Sequence, residues 1–142
     1  MSVIFSRKCE YALQAVLYLA TKKKGEMVSI KDLSRKLKIP YHFIGKIFQT
    51  LAYKKLLISG KGPNGGFALG KPAEKISLLQ IVEAVDGLDF NKKCVSGFRE
   101  CSNKHPCSAH DQWFEIREDI HSMLAHKNIL EMAKKMRKPQ YQ

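Results

Sequence analysis

Three of the four cysteines in the chain, Cys94, Cys101 and Cys107, fall within fourteen residues, and His110 follows the last of them by three. Thiolate sulfur and imidazole nitrogen are the ligands of zinc, copper(I) and iron–sulfur clusters. Six residues separate the first two cysteines and five the last two. A zinc ribbon would show two tight C-x2-C knuckles. None occurs here, so the sulfurs come from a loose loop that wraps its cargo. Lys92, Lys93, Arg99 and Lys104 lie among the thiols and favour the thiolate form. The plain alternative is a set of reduced, unrelated cysteines in a surface loop. The polarity of the segment speaks against it, because free cysteines are usually buried. His105 is also close to two cysteines, but Pro106 stiffens the chain beside it, which ranks it below His110. Cys9 stands far from the cluster on a helical stretch and reads as a small buried hydrophobe rather than a further ligand.

The chain that carries this loop has 142 residues, 44% of them hydrophobic, enough for one compact core with an appendage. Its formal charge is +12, unevenly placed. Residues 1–75 hold fifteen Lys/Arg against four Asp/Glu, a net of +11; residues 76–142 hold ten against nine, a net of +1. A basic half joined to a near-neutral half predicts an anionic partner for the first and another task for the second. The N-terminus does not resemble a signal peptide, and the longest apolar stretch, Ala12 to Ala20, is too short to span a bilayer. A cytoplasmic protein without membrane contact is expected. In that compartment clustered thiols point to metal or redox chemistry more than to structural disulfides.

The positioning elements follow from periodicity. Ala12, Leu13, Val16, Leu19 and Ala20 recur at helical spacing and predict a first helix from Lys8 to about Lys22, stopped by Lys22-Lys23-Lys24-Gly25 with cations at its negative pole. Ser29 and Asp32 form a capping-box pattern for a short second helix that buries Ile30, Leu33 and Leu37. Lys38-Ile39-Pro40 is a turn, with Pro40 suited to the first position of a third helix running to about Lys55. Ile44, Ile47, Phe48 and Leu51 give that helix its core stripe. Its opposite face presents His42, Lys46, Gln49 and Tyr53, with Tyr41 at the entry. Two short helices joined by a tight turn, the second cationic and polar outward, make a helix-turn-helix pattern.

Leu56–Ser59 and Phe67–Leu69 predict two short strands around the glycine-rich turn Gly60-Lys61-Gly62-Pro63-Asn64-Gly65-Gly66. That turn lacks the G-x-x-x-x-G-K-[ST] order of a phosphate-binding loop. A two-stranded wing suits it better, with Lys61 placed to reach a DNA backbone or minor groove. Ser77 and Gln80 form a second capping box, and Ile76 with Ile81 a hydrophobic staple, for a helix stopped at Asp86-Gly87. Beyond the cysteine loop, Trp113, Ile116, Ile120, Met123 and Leu124 predict a helix of about four turns. Asn128 can cap a last short helix carrying Ile129, Leu130, Met132 and Met136. The long helix is too apolar to lie alone on a small domain, and a second copy would bury its stripe. The fold class is mainly α: a winged helix-turn-helix DNA-binding domain over 1–86, a cysteine-rich cluster-binding loop over 87–110, and a dimerisation helix with a short terminal helix over 111–142.

The chain resembles the IscR/NsrR type of winged-helix iron–sulfur regulators, the Rrf-two family of bacterial transcription factors, over essentially its whole length. The likeness is carried by Glu10-Tyr-Ala-Leu13, Pro40-Tyr-His-Phe-Ile-Gly-Lys-Ile-Phe48, Gly62-Pro-Asn-Gly-Gly-Phe67, Ile76-Ser-Leu-Leu-Gln-Ile-Val-Glu-Ala-Val85 and the three-cysteine loop. It implies a homodimeric, non-enzymatic regulator whose loop holds a cluster near the partner's first helix. Carried over residue by residue, Cys94, Cys101 and Cys107 match the cluster cysteines. His110 matches the histidine that is fourth ligand in IscR-like members. Glu10 lies where NsrR-like members lend a carboxylate from the other subunit. Two departures stand out. The gap from Cys94 to Cys101 is one residue longer than the commonest pattern. Gly45-Lys46 replaces a Glu-Gln pair that faces the bases in IscR-like members, so the operator sequence does not transfer.

The expected function is regulation of transcription from a double-stranded DNA operator, with phosphate contacts from the basic half supplying affinity. The candidate DNA-contacting residues are Ser29, Tyr41, His42, Lys46, Gln49 and Lys61, of which His42, Lys46 and Gln49 are placed for base edges in the major groove. The favoured cofactor is a [2Fe–2S] cluster on three cysteines and His110; a [4Fe–4S] cluster with Glu10 or another fourth ligand is the alternative. Changes in the cluster (iron supply, redox state or nitric oxide) would shift the dimer between DNA-competent and incompetent states. Rival readings are a zinc- or thiol-redox-controlled regulator and a cofactor-free module controlled by a protein partner. An enzyme built on Cys107 and His110 lacks an oxyanion loop and an acidic partner.

Overall fold

The structure is a computed structural model that describes residues 5–88 and 108–135. Helix α1 spans Arg7–Ala20, α2 Ile30–Leu37 and α3 Tyr41–Tyr53. Strands β1 (Leu57–Gly60) and β2 (Gly66–Leu69) follow, then a 3-10 turn at Ala73–Lys75. Helices α4 (Leu78–Asp86), α5 (His110–His126) and α6 (Ile129–Lys135) complete the chain.

Local chemistry explains most of the boundaries. Ser6 caps α1, its Oγ accepting the Cys9 N–H at 3.0 Å. The helix closes at Ala20, earlier than the lysine run predicts. Thr21 ends it, donating its hydroxyl to the Tyr18 carbonyl at 2.6 Å, and Lys22, Lys23 and Lys24 lie beyond the last turn. Ser29 caps α2 by accepting the Asp32 N–H at 3.1 Å, but the box is not reciprocal: Asp32 turns outward to Arg35 at 2.9 Å. Ser77 and Gln80 do make the full reciprocal capping box at the start of α4, with Ile76 and Ile81 buried beside it. Each such cap is worth about 1 kcal/mol.

The turn between α2 and α3 is held from both sides. Lys38 takes a left-handed conformation (φ 56°), which reverses the chain. Ser34 then grips Ile39, donating its hydroxyl to the Ile39 carbonyl at 2.6 Å while its own carbonyl accepts the Ile39 N–H at 3.2 Å. Pro40 occupies the cap position rather than the first helical one; its carbonyl accepts from Phe43 at 3.0 Å and Ile44 at 3.3 Å. The third helix ends at Tyr53, where Lys55 turns left-handed (φ 64°) and leads into the wing.

The strands pair antiparallel in the register Leu57–Leu69, Ile58–Ala68, Ser59–Phe67, Gly60–Gly66. Val28 adds a bridge on the far side of β2, exchanging two backbone hydrogen bonds with Phe67 at 2.9 and 2.8 Å. Gly66 (φ 145°) lies where a Cβ would collide with the Val28 carbonyl, so this junction admits only glycine.

One core joins both ends of the described chain. Ala12, Val16, Leu19, Leu33, Leu37, Ile44, Ile47, Phe48, Leu51 and Ile81 are buried together with Leu124 and Ile129 from the C-terminal helices. Helix α6 packs on α1, and the strand-like bridge of Ser77 to Asn128 ties its start to the start of α4. Asn128 caps α6, accepting the Glu131 N–H at 2.8 Å. No helix among the described residues is long and apolar enough to cross a membrane.

Candidate nucleic-acid interface and cysteine-loop anchor

Helix α3 buries Ile44, Ile47, Phe48 and Leu51 against the core, as its periodicity requires. That burial fixes what faces outward. Tyr41, His42, Lys46 and Gln49 are all exposed, and Tyr53 is 83% exposed at the far end. His42, Lys46 and Gln49 stand three and four residues apart and share one helix face. Helices α2 and α3 pack as a pair, with the wing beside them. Lys61 is exposed in the wing turn. Ser29 is half-buried and its hydroxyl is engaged in capping α2, so its backbone end of the helix is what it offers outward. A helix of this charge and exposure can enter a major groove while a basic wing meets the phosphates.

Sequence periodicity did not reveal Phe43. It remains 44% exposed, and it sits in an aromatic group with His42, 4.6 Å between ring centroids, and Tyr11 of α1 at 6.2 Å. The group ties the start of α3 to α1. The one available signal was three ring-bearing residues in a row, Tyr41, His42 and Phe43.

The second region is the root of the cysteine loop. Cys94, Cys101 and Cys107 lie outside the described residues, so the structure bears only on what flanks them. On the N-terminal side, Asp86 ends α4, and its carboxylate accepts from both the N–H (2.9 Å) and the hydroxyl of Ser6. The N-cap of α1 is thereby fastened to the last residue before Gly87, across eighty positions of sequence. Nothing local announced this contact; Asp86-Gly87 reads only as a helix stop. Glu10 lies in the first turn of α1, half-buried, close in sequence to this clasp.

On the C-terminal side, His110 is the first residue of α5 and only 6% exposed. It stacks on Phe114 at 6.4 Å, one turn on, and Arg117 lies over the same ring at 5.7 Å. Among the described residues, which do not include the three loop cysteines, no group of three His, Cys, Asp or Glu side chains could hold a metal. Cys9 is free and fully buried. Burial, then the neighbouring Asp86 carboxylate, push its thiol up to about 12. A protonated thiol is a poor metal ligand, and Cys9 behaves as the small core residue its helical position predicts.

A family model described as an iron-dependent transcriptional regulator, Rrf2 (the Rrf-two family), matches residues 5–135. The chain belongs to the Rrf2 family. Its relatives include a helix-turn-helix transcriptional regulator of Haemophilus influenzae, 34% identical over 128 residues, covering 90% of this chain and 85% of that one. The transcriptional regulator IscR of Yersinia pestis is 30% identical over 126 residues, covering 89% and 76%. Among solved structures, CymR, described as the global cysteine regulator of B. subtilis, superposes with a TM-score of 0.79 at 21% identity, covering 92% and 95%. As an Rrf2 protein the chain is a winged-helix, DNA-binding transcriptional regulator and not an enzyme.

Proposed function

We propose that this Rrf2 protein is a cytoplasmic homodimer whose grip on its operator is set by an iron–sulfur cluster on Cys94, Cys101, Cys107 and His110, with [2Fe–2S] favoured. The observation that carries this reading is His110. A buried imidazole at the first position of α5 directly follows a stretch with three cysteines, so nitrogen and sulfur donors arrive from a fixed helix end and a connected loop. That donor set suits an iron–sulfur cluster. Such a group, when bound, supplies reversible electron uptake and sensitivity to oxygen, nitric oxide and iron supply.

The chain's own residues do the rest. Asp86 and Ser6 hold the near end of the loop against α1, and α4 packs on α1, α3 and α5. A change in loop conformation therefore acts on a rigid helix that touches the reading helix. His42, Lys46 and Gln49 meet base edges, Tyr41 and Lys61 meet the backbone or minor groove, and Ser29 presents the start of α2 to a phosphate. Ile116 and Met123, half-exposed on α5, follow Trp113 and flank Ile120 in a 3-4-3 spacing and form the seam with a second copy.

Glu10 favours a second reading: a half-buried carboxylate in the first turn of α1 is placed to serve a [4Fe–4S] cluster from one side. An oxygen-free preparation with visible and Mössbauer spectra, iron and sulfide counts, and DNA affinity before and after oxidation tests both. About two iron and two sulfide per chain with a signature of histidine ligation supports the first reading. About four of each, lost on Glu10→Ala, supports the second. Zinc alone, or thiol oxidation changing DNA binding with no iron present, overturns both in favour of a zinc- or thiol-controlled regulator.

A further inference from the structure

Three lysines are left without the task their sequence suggests. Lys22, Lys23 and Lys24 read as cations at the end of α1, but the helix closes at Ala20, where Thr21 satisfies the Tyr18 carbonyl. The chain instead turns at Gly25 (φ 82°), and the Glu26 N–H donates to the Lys23 carbonyl at 2.9 Å. This turn walls a cavity of about 370 Å³. The other walls are the exit of β2 through Gly70 and Lys71, the 3-10 turn, and Leu130 of α6. The lining has two kinds of residue. Leu19 and Ala68 are buried, and Ala20, Leu69, Ala73 and Leu130 are half-buried, which makes an apolar floor. Lys23, Lys24 and Lys71 are exposed around it, and Lys22 holds its ammonium over the Tyr18 ring, 4.8 Å from the centroid. Glu26 and Glu74 also reach the cavity, so four lysines against two glutamates leave a net +2. Among the described residues none of these six is in an ion pair; the salt bridge formed is that of Arg35 with Asp32. Like charges gathered in one place repel, so the fold gains nothing from this arrangement.

We propose that this cavity binds a small organic anion, a carboxylate on a short apolar body. The apolar floor takes the body out of water. The lysine ammonium groups, each with three donors, meet the carboxylate at the mouth. Small-molecule sites are mostly apolar clefts of about 300–1,000 Å³ in which a few polar groups fix orientation. The space here equals about twelve waters at about 30 Å³ each, which suits a ligand of about a dozen non-hydrogen atoms. DNA phosphate is the other anion this protein meets, but it has no apolar part for the floor. The lysines also gather at the root of the wing, the far end of β2 from Gly66 and from the turn that carries Lys61. An occupant would touch a wing strand, the end of α1 and α6 at once, and so both the DNA-binding half and the C-terminal half. None of the lining residues is a candidate cluster ligand, so the inference stands or falls independently of the cluster reading.

Octanoate is the probe, titrated into the isotope-labelled full chain and followed by amide NMR shifts. Acetate supplies the charged head alone and octanol the apolar body alone. The expected result is a set of saturable shifts gathered at residues 22–26, 69–74 and 130. Octanoate should bind about tenfold or more tighter than either control. A chain carrying Lys23→Gln, Lys24→Gln and Lys71→Gln together, all at exposed positions, should keep its melting temperature. It should bind octanoate about tenfold more weakly and octanol as before. Shifts that appear only on the exposed face of α5, or not at all, overturn the inference, and so does octanol binding as tightly as octanoate. A triple variant that binds octanoate like the original overturns it as well. If octanoate fails to bind while the triple variant loses affinity for DNA, the lysines serve the duplex instead and the inference is likewise lost.

Discussion

Replacing Ile116 with glutamate should dissolve the proposed dimer while leaving the protomer folded. Ile116 and Met123 are 49% and 50% exposed, seven residues apart on α5, and neither belongs to the buried core. Complete burial of an aliphatic side chain of this size is worth about 1.5–3 kcal/mol, so the half that remains exposed is worth about 1 kcal/mol for each. A two-fold interface counts every residue twice. Ile116→Glu therefore removes about 2 kcal/mol of burial across the seam. At about 1.4 kcal/mol per tenfold, that alone weakens association about 30-fold. Two carboxylates facing each other in a partly dehydrated seam add to the loss. Sedimentation velocity over a dilution series reads the dissociation, circular dichroism confirms that helical content is kept, and operator binding should lose cooperativity as half-sites are engaged singly. A variant that sediments like the original protein at every concentration would refute the assignment of this stripe to a two-fold contact.

Other expectations can be checked with the same material. Lys61→Ala should weaken DNA binding about equally for all sequences and lower the slope of log affinity against log salt by about 1, measured by fluorescence anisotropy; an unchanged slope would remove the wing turn from the phosphate contacts. Cys9 should resist iodoacetamide in the folded protein near pH 9 and react when the chain is denatured, followed by mass spectrometry in a Cys94→Ala, Cys101→Ala, Cys107→Ala background. The sign follows from its thiol, raised from 9.0 to about 12: the folded state holds the proton longer than the unfolded state. Its contribution to stability is therefore whole below pH 9 and is lost as pH rises through about 12. Rapid alkylation of native Cys9 would contradict its burial.

The parts of the fold that were legible in the sequence share a physical cause: each is set within a few residues. The α3 stripe of Ile44, Ile47, Phe48 and Leu51 and the Ser77–Gln80 box depend on periodicity and on a side chain reaching its own backbone, and both stand as read. Errors arose where two local signals competed. The lysine run from Lys22 suggested a helix end, but Thr21 satisfied the last carbonyls first. Asp32 matched a capping box, yet Arg35 one turn away offered a charged partner and won. Contacts across the chain left no trace in the sequence. The Ser6–Asp86 clasp, the Val28–Phe67 bridge and the return of α6 onto α1 are products of packing. Of the candidate site, the outward face of α3 was readable because burial of one stripe dictates exposure of the other. The position of His110 was readable as a residue but not as a buried one, since only the tertiary setting of α5 decides that.

Those unforeseen contacts also decide how a signal in the cysteine loop would travel. On the near side of the cysteine segment, Asp86 is the last residue of α4 and is fastened to the cap of α1, so a displacement of the end of α4 disturbs that cap. The far end is His110, locked by its burial to the start of α5. Helix α4 is short, closed by a full capping box at its start and buried through Leu78, Ile81 and Val82, which makes it a stiff lever rather than a hinge. It packs on α3 as well as on α1 and α5. On the proposed cluster control, the bound group would need to favour one of two packings of α4 by only a few kcal/mol to change how two reading helices fit successive grooves. The small size of that energy is what makes the arrangement reversible.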